Sequence, residues 1–199
     1  TTPNGTLIPS LANTAFIVAY DINGKFKWKS YVDATPSIEV GNFVLADSQS
    51  NVYFVGSTGV TAGATIINNS NVAYTNSLGI PANSGFLNKY YQDGTLLWTA
   101  NVSAGATSAN CNCIAVDSNL DVYVGGRATA GPTTASVISH SNVFYGVSSG
   151  LTFPTSGVTD PAFIAKYNGV AGNAVWRSYV DQPTGSVDIT CSISLDASG

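Results

Sequence analysis

The chain has 199 residues, 44% of them hydrophobic and only 9% charged, with a net charge of −4 at pH 7. So much apolar material excludes a disordered chain, and seven Lys plus Arg cannot make the basic stripe that nucleic acid requires. No window approaches the roughly 18 to 20 apolar residues of a membrane span, and TTPNGTLIPS at the start lacks the basic and apolar regions of a signal peptide. Ser, Thr, Asn and Gly carry the polar surface in place of charges, an exchange common on secreted and surface proteins.

Taken in chain order, the first element is AFIVAYDINGKFKWKSYV at 15–32, two alternating runs that flank D-I-N-G. Alternation predicts strands, and N-G accepts the positive φ of a tight reversal, so D-I-N-G is expected to be a hairpin tip. Next comes FVLADSQSNVYFVG at 43–56, two more β-like runs around a D-S turn. After a long link the first pattern returns as FLNKYYQDGTLLWTANV at 86–102, followed by CIAVDSNLDVYVGG at 113–126. A second long link leads to FIAKYNGVAGNAVWRSYV at 163–180, and ISLDASG at 193–199 opens the second block once more.

Phe16, Phe86 and Phe163 each open a copy, and Trp28, Trp98 and Trp176 follow them at 12, 12 and 13 residues. The links repeat as well, with SNVAY at 70–74 and SNVFY at 141–145. No segment has helical periodicity. Four short strands per copy, recurring every 70 to 78 residues, predict an all-β fold of β-propeller-like blades, each of four antiparallel strands. Residues 1–39 would form the outer part of a first blade, 40–105 a second blade, 106–182 a third, and 183–199 the start of a further one. About two full blades plus partial ones make an incomplete ring, since closure needs about four to eight. With no Met anywhere, the chain reads as a slice of a longer tandem-repeat protein, the alternative being subunits that complete one another's blades.

The pattern resembles a named family, the β-propeller repeat called SBBP. Its pattern runs through an alternating strand with Lys-Tyr, an N-G or D-G turn, a Trp, and then I-A-x-D-S-x-x-N-V-Y-V-x-G. The matching stretches are AFIVAYDINGKFKW with VLADSQSNVYFVG, FLNKYYQDGTLLW with IAVDSNLDVYVGG, and AFIAKYNGVAGNAVW with ISLDASG. The longer turn in YNGVAGNAVW departs from it and leaves the register of that hairpin open. The resemblance implies a large repetitive surface protein of bacterial or giant-virus type.

Candidate chemistry is sparse. Asp117, Asn119 and Asp121 in DSNLD match the opening of calcium loops, but Val122 replaces the required Gly and no Glu stands at the twelfth position. The alternative is an Asp that caps a β-turn through its own backbone, as also in DSQSN at 47–51. Cys111, Cys113 and Cys191 could form a disulfide between blades or remain buried thiols. With His140 as the single His, they make a poor zinc set. The three Trp, at one structural position, are expected to pack between blades. Tyr74 and Tyr145, in the links, are candidate ligand-binding aromatics or loop anchors. Asn4, Asn68 and Asn101 head glycosylation sequons. Asp33, Glu39, Asp181 and Asp188 read as solvated loop acids. No nucleophile–base set, phosphate loop or cofactor motif is present to read, so catalysis is not expected. Two functions remain: a structural surface protein whose partners are other subunits or further repeats, or a module that binds glycans or protein through the links at 62–85 and 128–161.

Overall fold

The computed structural model describes residues 14–33, 38–59, 65–67, 73–75, 84–103, 109–128, 136–138, 144–145, 162–180, 190 and 192–196. Among them lie fourteen strands and no helix: β1 (Ala15–Tyr20), β2 (Phe26–Asp33), β3 (Glu39–Ala46), β4 (Val52–Thr58), β5 (Thr65–Ile67), β6 (Ala73–Thr75), β7 (Gly85–Tyr90), β8 (Leu96–Ser103), β9 (Ala109–Val116), β10 (Val122–Ala128), β11 (Ser136–Ile138), β12 (Phe144–Tyr145), β13 (Ala162–Tyr167) and β14 (Ala174–Val180). Every pairing is antiparallel. The fold is all-β, built of propeller-like blades that do not close a ring among the described residues.

The second blade runs β3-β4-β7-β8 and the third β9-β10-β13-β14, while β1 and β2 form the outer half of a first. Equivalent hairpins agree to the residue. Ala19 lies opposite Trp28, Lys89 opposite Trp98 and Lys166 opposite Trp176, with the register shifting at the next residue each time. The longer third turn therefore leaves the register intact. Asn168 absorbs the extra residue, its Oδ1 accepting the amides of Val170 and Ala171 at 3.1 and 3.0 Å while its own amide closes onto the Asn173 carbonyl at 2.8 Å.

The inner strands share a bulge as well. Pairing skips Asn42 in β3 and Asn112 in β9, so each carries one extra residue. The Asn42 side-chain amide uses this freedom to reach the next inner strand, donating to the Cys111 carbonyl at 2.9 Å.

The links differ from the loops that the sequence leads one to expect. β5 and β6 lie between β4 and β7 in sequence, yet β5 pairs with β2 of the preceding blade, Tyr31 opposite Ile67. Likewise β11 pairs with β8, Val137 opposite Val102, and carries β12 beyond it. Each link thus sends a short hairpin back to cover the outer edge of the blade before it, an edge that would otherwise offer unpaired backbone groups. Tyr74 stands in β6 and Tyr145 in β12.

The core lies between blades. One buried cluster joins Ala15, Ile17, Trp28 and Val32 of the first blade to Phe54, Phe86 and Tyr90 of the second. The other joins Tyr53, Leu87, Trp98 and Val102 to Ile114, Val124, Phe163 and Tyr167 of the third. Burial at these junctions, and not within a single sheet, holds the array together.

Candidate functional site

The repeated motif residues converge on the blade junctions. At the first junction the Trp28 indole donates to the Gln92 carbonyl at 2.9 Å and stacks on Tyr90, ring centroids 5.7 Å apart. Gln92 sits in the hairpin tip of the next blade. Gly94 in that tip has φ +88°, and a Cβ there would stand 2.7 Å from the Trp28 ring, so conformation and contact both demand glycine. At the second junction Trp98 donates to the Gly169 carbonyl at 3.1 Å, and Gly172 (φ +71°) repeats the contact with the Trp98 ring. Relative exposure follows position: Trp28 and Trp98 are 2% and 3% exposed, whereas Trp176, with no described tip over it, is 36% exposed.

Tyr90 lies fully buried at the first junction, where the Ser30 hydroxyl donates to its oxygen at 3.0 Å and Asn88 at 3.3 Å. Burial pushes its phenol up to about 12 even though both hydrogen bonds work the other way.

The D-S turns form a second repeated constellation. Asp47 Oδ1 accepts the amides of Gln49 and Asn51, both at 2.9 Å, while Oδ2 accepts Asn51 Nδ2 at 2.9 Å and the Tyr53 hydroxyl at 3.0 Å. Burial works to raise this carboxyl, but the hydrogen bonds from Asn51, Tyr53 and Gln49 prevail and hold it below its ordinary value. Asp117 repeats the turn, accepting the amides of Asn119 and Asp121 at 2.9 and 2.8 Å and the Tyr123 hydroxyl at 3.2 Å.

Asp121 replaces Asn51, and the Lys166 ammonium sits 2.9 Å from Asp121 Oδ2 and 3.6 Å from Asp117 Oδ2, over the Tyr123 ring at 5.0 Å. Its hydrogen bonds to Tyr123 and Asp121 hold the ammonium above the usual lysine range. The D-x-N-x-D stretch thus closes a turn around a lysine. Asn119 contributes its backbone amide from an exposed turn position, and no group of three or more His, Cys, Asp or Glu among the described residues could hold a metal ion.

Lys89 occupies the equivalent place over the Tyr53 ring at 5.2 Å, and its ammonium donates to the Gly169 carbonyl at 2.7 Å, the acceptor that Trp98 also uses. Burial lowers its pKa, with Asp47 opposing. Sequence reasoning missed these lysines. The signal was present, because Lys recurs in FLNKYY and FIAKYN while position 51 or 121 varies between Asn and Asp.

Cys111 is a buried free thiol whose ionisation burial opposes, helped by the nearby Cys113. The Cys113 thiol is also buried and donates to the Thr190 carbonyl at 3.7 Å. Cys191 lies outside the described residues, as do His140, Asn4 and Asn68, the side chains of Tyr74 and Tyr145, and Asp181 and Asp188. Asn101 is in β8 with its side chain buried, so the folded chain does not present that sequon amide at its surface. Glu39, read as a solvated loop acid, is instead a buried residue opening β3. The turn Asp47 and Asp117 flank a shallow groove of about 420 Å³ between successive inner hairpins, and a larger one of about 470 Å³ opens between β1 and β3.

Comparison with protein-family models and with curated proteins finds no match to this chain.

Proposed function

We propose that the chain is a structural surface component built from β-propeller repeats of SBBP type, part of a longer array such as a spike, fibre, capsid decoration or cell-surface layer. The junction carries this reading. Trp28 and Trp98, each 2–3% exposed, lock one blade beneath the glycine tip of the next through the same hydrogen bond and the same ring contact. The motif's Asp, Tyr, Lys and Trp groups bond to turns or neighbouring blades, which is how a rigid repeating scaffold uses polar chemistry. A surface wetted by amides and hydroxyls suits a secreted or particle-borne location.

The competing reading, a glycan- or protein-binding module acting through the links, is weakened by what the described parts of those links do. They pair back onto β2 and β8. Limited trypsin treatment of intact particles or cells from the source tests the proposal. Release of peptides from this chain without lysis is the expected result; recovery only from the soluble lysate fraction would overturn it.

A further inference from the structure

The three opening phenylalanines occupy one repeat position but not one environment. Phe86 and Phe163 are 1% and 2% exposed, whereas Phe16 is 54% exposed. The cause is visible in the pairing. β7 is flanked by β4 and β8, and β13 by β10 and β14, but among the described residues β1 is paired only with β2.

The strand beside it shows the same vacancy from the other direction. β9 is buried because it packs across β3, β4, β7 and β8 of the blade before it. The equivalent β3 packs on β1 alone among its stronger contacts there, so Val44 is 54% exposed where its counterpart Ile114 is 4% exposed. A groove of about 470 Å³, lined by Phe16, Val18, Phe43, Val44 and Phe54 among others, runs between these two surfaces.

We infer that this groove is a docking site for a two-stranded inner hairpin of the same repeat type, donated by a neighbouring repeat unit. The site continues an interface that the chain already shows twice, where β3–β4 and β9–β10 fill the corresponding space. Those occupants also define what the incoming strand must carry. In both cases the residue opposite the phenylalanine is glycine, Gly56 against Phe86 and Gly126 against Phe163. A Cβ on either would stand 2.6 or 2.9 Å from the aromatic ring and would also strike a carbonyl of the inner strand, Val40 or Asn110. The hairpin that docks on β1 therefore places a glycine opposite Phe16, and its first strand lies over Val44, which shares the face of Phe54. Main-chain pairing to β1 supplies affinity and the glycine supplies selection.

The inference rests on the structural reading of the chain and names the partner of its open end. The test uses a labelled synthetic peptide of residues 39–58, this chain's own inner hairpin, added to the full-length protein. Expected are saturable one-to-one binding and slowing of amide hydrogen exchange across Phe16–Tyr20 towards the level of Phe86–Tyr90. Phe16→Lys, at an exposed position, should weaken binding at least tenfold without disturbing the fold, and a peptide carrying Gly56→Val should not bind. Binding that survives Phe16→Lys would mean the peptide displaces the chain's own β3–β4, and would overturn the inference. So would no binding at all. Each of these leaves the surface location to be decided by the trypsin release experiment, so the two readings fail separately.

Discussion

Replacing Trp98 by Ala removes the centre of the second junction, and the structure sets its cost against a built-in control. Trp98 is 3% exposed, meets Tyr53 edge-on at 6.2 Å and fits beneath Gly172. Truncating so buried a Trp leaves a cavity that the rigid strands cannot close, at a cost of about 4 kcal/mol. The lost hydrogen bond adds little, because the Gly169 carbonyl keeps the Lys89 ammonium at 2.7 Å. Trp176 holds the same repeat position with the same edge-on tyrosine, Tyr123 at 6.0 Å, but solvent reaches it. Its truncation loses transfer energy without enclosing a cavity, about 1–2 kcal/mol. With a urea m-value of about 2 kcal/mol/M for a chain of this size, the Trp98→Ala midpoint should fall by about 2 M and that of Trp176→Ala by less than about 1 M. Trp98→Phe should lie between them. Equal losses from Trp98→Ala and Trp176→Ala would refute the argument that the tryptophans act as inter-blade locks.

Three further outcomes are expected. Gly24→Ala and Gly94→Ala both place a side chain at positive φ, costing about 1–2 kcal/mol, but only Gly94→Ala also strikes the Trp28 ring while position 24 opens on empty space; thermal melts should show the larger loss for Gly94→Ala. Asp47 is held below its ordinary pKa when folded, so its contribution is complete above the unfolded value and is lost as pH falls through the folded one; Asp47→Asn should flatten the fall of the urea midpoint between about pH 5 and pH 2. Cys111 is buried with its ionisation opposed, so Ellman's reagent at pH 8 should label it only after denaturation, and rapid native labelling would contradict its place in the junction.

Strands and hairpin tips were legible because each is local: alternation, N-G and D-G turns, and the Phe-to-Trp interval lie within about twenty residues. The inter-blade role of the tryptophans was legible from recurrence, since a residue repeated at one structural position packs in the same way each time. The back-pairing hairpins were not. β5 and β11 have three residues each, too few for a period, and their partners Tyr31 and Val102 lie some 35 residues upstream. DSNLD stayed ambiguous because one set of oxygens can bind a cation or cap a turn, and the group that decides, the Lys166 ammonium, comes from a distant strand. Glu39 was misread because its burial depends on how β3 stacks, which no local pattern encodes.

The central claim, that blades of this kind exist joined to further blades, is tested most directly by light scattering on the native protein purified without denaturant. The account predicts a particle at least twice the 20.5 kDa of this chain, whether the added repeats belong to one polypeptide or to several. A stable 20.5 kDa monomer, with Phe16–Tyr20 amides exchanging freely, would contradict it.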